Sequence, residues 1–119
     1  MIVEDELFVA MHLESVLEDI GYEVTGILAT GESAVAEFRL QRPDVVLMDI
    51  NLGVGINGIA AAQQIRTVED VPIIFVSAYS DAATRTRVEA ALPGSRLLSK
   101  PVTPGGLRDA IESQAQTRQ

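Results

Sequence analysis

The sequence predicts a doubly wound α/β sandwich: one parallel sheet with helices on both faces. Three observations predict it. Apolar runs and helical stretches alternate along the whole chain, in the rhythm of five βα units. Two of the runs, 44–50 and 73–77, are continuously apolar, as strands are when helices cover both faces. A length of 119 residues with 47% hydrophobic and 22% charged content is one ordinary domain with a sizeable core.

Met1, Ile2 and Val3 make a short apolar strand that breaks into Glu4-Asp5-Glu6. Residues 7–20 predict a helix, with Val9, Leu13, Val16, Leu17 and Ile20 on one face and Gly21 closing it. Residues 23–29 predict a strand, and 32–42 a helix that stops before Pro43. The third strand spans 44–50, and a glycine-rich loop leads to a helix over 58–68. Pro72 opens the fourth strand, and Asp81 is placed to cap a helix reaching Leu92, which Pro93-Gly94 breaks. Residues 96–99 form a short strand ending in Lys100-Pro101, and Pro104 opens a last helix to about Ser113. The expected division is one domain over 1–113 and a polar tail, or the start of a linker, over 114–119.

Composition removes several function classes. With no cysteine there is no disulfide, thiolate metal site or thiol nucleophile. One histidine, His12, rules out a multi-histidine metal site, and its place on a helix predicts a solvated residue without a role. A net charge of −8, with Lys100 the single lysine and the arginines scattered, argues against direct nucleic-acid binding. No apolar run approaches the roughly 20 residues that span a bilayer, and no secretory leader is evident, so the expected setting is cytoplasmic.

Ligands of such sheets sit at the carboxyl ends of the strands. There the sequence offers Glu4, Asp5 and Glu6 after strand one, Asp49 and Asn51 at strand three, Ser77 at strand four and Lys100 at strand five. Crowded carboxylates repel one another unless a cation neutralises them, and oxygen ligands without histidine or cysteine suit Mg²⁺ or Mn²⁺. A hydroxyl and a lone ammonium beside such a metal would hold the oxygens of a phosphoryl group, with Asp49 as the carboxylate nucleophile. Glu6 reads better as a helix N-terminal acid. Gly53-x-Gly55-x-x-Gly58 matches a dinucleotide fingerprint in form, but it follows the third strand and lies directly after Asp49. A permissive loop is the preferred reading of these glycines.

Four segments together, Val3-Glu4-Asp5-Glu6, Leu47-Met48-Asp49-Ile50-Asn51-Leu52, Ser77-Ala78 and Ser99-Lys100-Pro101, resemble the receiver domain of two-component response regulators over nearly the whole chain. The resemblance implies a flavodoxin-like strand order 2-1-3-4-5. It implies that Asp49 accepts a phosphoryl group, that Asp5, Asp49 and the Asn51 carbonyl bind Mg²⁺ or Mn²⁺, and that Glu4 does so through water. Ser77 and Lys100 would hold the phosphoryl group, and the Lys100–Pro101 bond would be cis. Lys100 is expected to matter more for the phosphorylated state than for stability. The implied donors are a sensor histidine kinase or a histidine phosphotransfer protein. A downstream protein or a second copy would use the face of helix four, strand five and helix five. Leu97 stands where the family usually has an aromatic switch residue and is expected to be buried, and the loop after Asp49 lacks the family's frequent proline. The alternatives are an aspartate-nucleophile phosphatase, weakened by Asn51 where that class needs an acid, a flavodoxin-like cofactor binder, weakened by acids where its phosphate loop should be, and a pseudo-receiver that acts without phosphorylation.

Overall fold

In the computed structural model, which describes residues 1–117, the elements alternate throughout: β1 (Ile2–Val3), α1 (Leu7–Asp19), β2 (Ile27–Leu28), α2 (Gly31–Gln41), β3 (Val46–Asp49), α3 (Gly58–Val68), β4 (Ile73–Ser77), α4 (Ala82–Ala91), β5 (Arg96–Ser99) and α5 (Pro104–Thr117). The five strands form one parallel sheet in the order β2-β1-β3-β4-β5, the order the resemblance implies. The chain therefore crosses over on both sides of β1, and the carboxyl ends of β1, β3, β4 and β5 share one edge.

The unbroken apolar strands feed two cores. Val46, Met48, Ile73 and Phe75 point to the face covered by α2, α3 and α4, where Phe38, Ile59, Ile65 and Val88 are buried. Leu47, Ile74 and Val76 point to the opposite face, against Leu13 and Leu17 of α1 and Leu107 and Ile111 of α5. Alternation is present, but between two apolar environments, so it leaves no trace in hydropathy.

Local signals set the helix ends. Past α1, the Tyr22 amide donates to the Leu17 carbonyl and the Gly21 amide to that of Glu18, with Gly21 at φ +95°; this closure needs a left-handed residue. Thr30, Asn57 and Asp81 cap α2, α3 and α4, each side chain accepting the amide three residues on.

Two boundaries differ most from the sequence reading, while β3, expected over 44–50, spans Val46–Asp49. The second strand was expected over 23–29, but β2 has two residues because its one neighbour, β1, offers only Ile2 and Val3 to pair with. The last helix was expected to end near Ser113, with a polar tail from 114. It continues to Thr117, and Gln114 is buried, its amide donating to the carbonyls of Ile73 (3.4 Å) and Gly94 (3.3 Å). A polar residue thus faces inward because it satisfies two backbone acceptors at the amino end of β4 and near that of β5. The rest of the expected tail, residues 118–119, lies outside the described residues.

Gly58 opens α3 against the back of Asp49. A Cβ there would stand 2.0 Å from the Asp49 carbonyl oxygen, whereas one on Gly105, in the first turn of α5, would meet nothing within 4 Å. Gly58→Ala should destabilise the protein at or beyond the upper end of the ~1–3 kcal/mol typical of overpacking. Gly105→Ala should be neutral or stabilising by up to about 1 kcal/mol. Urea denaturation of the two variants checks both.

Candidate functional site

The site is built where backbone geometry leaves side chains no choice of edge. Asp49 is the last residue of β3, buried to 3% exposure, in register with Val76 of β4. Glu4 follows β1 directly and is equally buried, while Asp5 is exposed. One carboxylate oxygen from each of Glu4, Asp5 and Asp49 lies within 4.8 Å of the others. Lys100, just past β5, extends its ammonium into this group, 2.7 Å from Glu4 Oε1 and 3.5 Å from Asp49 Oδ1. The Lys100–Pro101 bond is cis, as the resemblance implies.

Each carboxylate has a distinct set of partners. Glu4 is fully engaged: Oε1 accepts from Lys100 and Oε2 from the Glu6 amide at 3.2 Å. Asp5 Oδ2 accepts the Gly53 amide at 3.0 Å. Asp49 Oδ1 accepts the Asn51 amide at 3.3 Å. Burial pushes the Glu4 carboxyl upward in pKa; the hydrogen bonds from Lys100 and Glu6 oppose this and the Asp49 charge adds to it, leaving it above the ordinary glutamate value. For Lys100, burial favours the neutral amine, but the Glu4 hydrogen bond and the negative charges of Asp49 and Glu4 outweigh it, so its pKa is raised. Three acids with oxygen donors and no nitrogen or sulfur donor among them form a set suited to a hard divalent cation.

The other expected residues are near the same edge but less engaged. Ser77 ends β4, fully buried, and its Oγ accepts the Tyr79 amide at 2.9 Å. Ser77 is in register with Ser99 of β5, and its carbonyl accepts the Lys100 amide at 2.9 Å. Asn51 is exposed. Leu97 is buried against the core under α4, as a leucine should be where the family carries an aromatic. His12 is exposed on α1.

Two contacts escaped the sequence reading. The Gly53 amide sits on Asp5, and Glu32, at the start of α2, accepts the Ile56 amide through Oε2 at 3.1 Å and Oε1 at 3.4 Å. Both bind the loop that the glycines were expected only to loosen. The glycines were a signal, since a Cβ on Gly53 or Gly55 would press on Asp5 or Glu32. The carboxylates themselves lie 48 and 24 residues away, beyond any local pattern.

A model of the response regulator receiver domain matches residues 1–112. The chain belongs to this family. It is similar to the phyllosphere-induced regulator PhyR of Methylorubrum extorquens, 36% identical over 117 residues that make up 97% of this chain and 42% of that protein. It is similar to the chemotaxis protein CheY of Thermotoga maritima, 33% identical over 93% of this chain and 92% of that one. Among solved structures, the signal receiver domain of a modulated diguanylate cyclase from Desulfovibrio desulfuricans superposes with a TM-score of 0.87 at 34% identity, covering 98% of this chain and 92% of that one. The chain spans about half the length of the curated relatives it matches first. A receiver is a regulatory domain and not in itself a catalytic enzyme family. No helix among the described residues is long and apolar enough to cross a membrane.

The Glu4–Lys100 pair gives this receiver's lysine a structural duty beside the larger role expected of it in the phosphorylated state. Lys100→Met leaves a buried carboxylate without its cation and should cost about 1–3 kcal/mol. Adding Glu4→Gln should recover part of that loss. A double-mutant cycle by urea denaturation in metal-free buffer should give a coupling of at least about 1 kcal/mol; additive effects would show that the pair carries nothing.

Proposed function

We propose that this receiver takes a phosphoryl group from a phosphohistidine onto Asp49, with a divalent cation bound beside it, and that the change alters its partner-binding surface. The observation that carries this reading is the Asp49 carboxylate at the end of β3, buried, near two further carboxylates and 3.5 Å from an ammonium. Asp5, Asp49 and the Asn51 carbonyl would hold Mg²⁺ or Mn²⁺, and Glu4, whose two oxygens are already engaged by Lys100 and the Glu6 amide, would act through water. The bound cation would supply positive charge against the phosphoryl oxygens.

The chain's own residues do the rest by position. The contacts of Asp49 with Lys100 and the Asn51 amide both fall on Oδ1, and Oδ2 is the nucleophile. The N–P bond of the donor histidine breaks as the Oδ2–P bond forms, and the imidazole keeps the electron pair. Lys100, shared between Glu4 and Asp49, moves its ammonium toward the phosphoryl charge as it appears, an interaction stronger in the transition state than before it. The Ser77 hydroxyl, which now accepts from Tyr79, has a proton to donate to a phosphoryl oxygen. With Leu97 buried and no ring to turn, the change passes to the 78–81 segment and α4.

The donor's approach is suggested by exposed apolar residues in the first turns of α1. Leu7, Phe8 and Met11 are exposed, Phe8 to 84%, and Phe8 and His12 line an open groove with Lys100, Pro101 and Val102. A sensor histidine kinase or a histidine phosphotransfer protein is the partner this reading calls for. A downstream protein or a second copy would take the α4–β5–α5 face.

Acetyl phosphate with Mg²⁺ should add one phosphoryl group by intact mass, and the adduct should be stable enough to isolate. Asp49→Asn and EDTA should each abolish it. Full labelling of Asp49→Asn would move the acceptor elsewhere, and no labelling of the wild type would favour a receiver that works without phosphorylation. Phe8→Ser should slow transfer from a phosphorylated histidine phosphotransfer protein by at least about tenfold, the scale of an interface anchor. Its labelling by acetyl phosphate should keep the wild-type rate, which stopped-flow and mass measurements compare directly.

A further inference from the structure

The loop between β3 and α3 is tethered at two points by carboxylates from other elements. Near its start, the Gly53 amide donates to Asp5 Oδ2 at 3.0 Å. Near its end, the Ile56 amide donates to Glu32 at 3.1 Å. The fit at the second tether is close. A Cβ on Gly55, which has φ +81°, would stand 2.3 Å from Glu32 Oε1, and one on Gly31 would stand 2.6 Å from the Ile56 side chain. Thr30 caps α2 immediately before Gly31, so the helix start that carries Glu32 is itself fixed. Between the tethers lie Val54 and Gly55, and glycine adds freedom that the chain must lose to hold one shape.

We infer that Glu32 is a positioning residue for the cation site: by holding the Gly55–Ile56 half of the loop it presents the Gly53 amide to Asp5, and so orients the exposed carboxylate that binds the metal. The inference rests on the metal reading of Asp5 made above. Asp5 is exposed and, without the Gly53 amide, would keep several rotamers open to water. With Oδ2 held by that amide, Oδ1 is the oxygen left for a cation. Partners that orient a metal-binding carboxylate through a hydrogen bond are typically worth about 10–100-fold in affinity. The chemistry asks for an acceptor at Glu32, not for its charge, and this separates positioning from a long-range field. Glutamine keeps a carbonyl oxygen for the Ile56 amide and removes the charge; alanine removes both.

The experiment compares wild type, Glu32→Ala and Glu32→Gln. In metal-free protein, amide exchange at Gly53 and Ile56 is followed by NMR, and Mg²⁺ binding is then measured by titration. Glu32→Ala should speed exchange at both amides and raise the Mg²⁺ Kd about tenfold, while Glu32→Gln restores most of the affinity and the protection. Unchanged Gly53 exchange and unchanged Kd in Glu32→Ala would overturn the inference. So would a Glu32→Gln variant as weak as Glu32→Ala, since charge alone would then be responsible. If the wild type binds no Mg²⁺, the metal reading of Asp5 falls, and the tether from Glu32 to Gly53 is judged by amide exchange alone.

Discussion

Two ionised carboxylates about 4 Å apart repel by roughly 4 kcal/mol at an effective dielectric constant of 20, and at the carboxyl edge of this sheet Glu4, Asp5 and Asp49 are brought within such range of one another. Much of the edge is arranged around that repulsion. Lys100 reaches in from β5 and bonds the most deeply buried of the three side chains, Glu4, while standing close to Asp49. Backbone amides of Glu6, Asn51 and Gly53 each donate to one of the acids. These contacts offset the charge only in part, and the surplus of negative charge is what makes the cleft receptive to a cation.

On the proposed reading, the same arrangement would link folding to signalling. Glu4 follows β1, Asp49 ends β3 and Lys100 follows β5, so a single ammonium ties together strands from the middle and the far edge of the sheet. An incoming phosphoryl group would compete for that ammonium. Lys100 would then exchange a structural partner for a chemical one, and the 78–81 segment lies close by: Ser77 binds Tyr79, and the Ser80 and Ser99 hydroxyls are hydrogen-bonded next to Lys100. On the proposed reading, with Leu97 buried in the core, the hydroxyls and amides of this segment are the groups that would rearrange.

The glycines after Asp49 illustrate how one sequence pattern can serve different ends. Gly58 is required by contact, because the start of α3 presses on the Asp49 carbonyl. Gly55 is required by its φ of +81° and by the carboxylate of Glu32 above it. Gly53 leaves room for Asp5 Oδ2 to receive its amide. None cradles a pyrophosphate: the groups they approach are the protein's own carboxylates and a carbonyl, which would repel one.

The sequence by itself determined the class of fold, the order of its elements and the chemistry gathered at one edge. Apolar runs, caps and breakers act over a few residues, so the Asp81 cap, the Gly21 closure and the apolar strands that carry Asp49 and Ser77 were legible from the chain. Only the tertiary structure decided how far some elements extend and which side chains share a partner. β2 is short because β1 is short, and α5 runs on because Gln114 finds two buried carbonyls. Lys100 bonds Glu4 in preference to Asp49, and Glu32 and Asp5 hold a loop distant in sequence. Each of these depends on the distance between groups far apart along the chain, which packing of the two cores sets and local pattern does not encode.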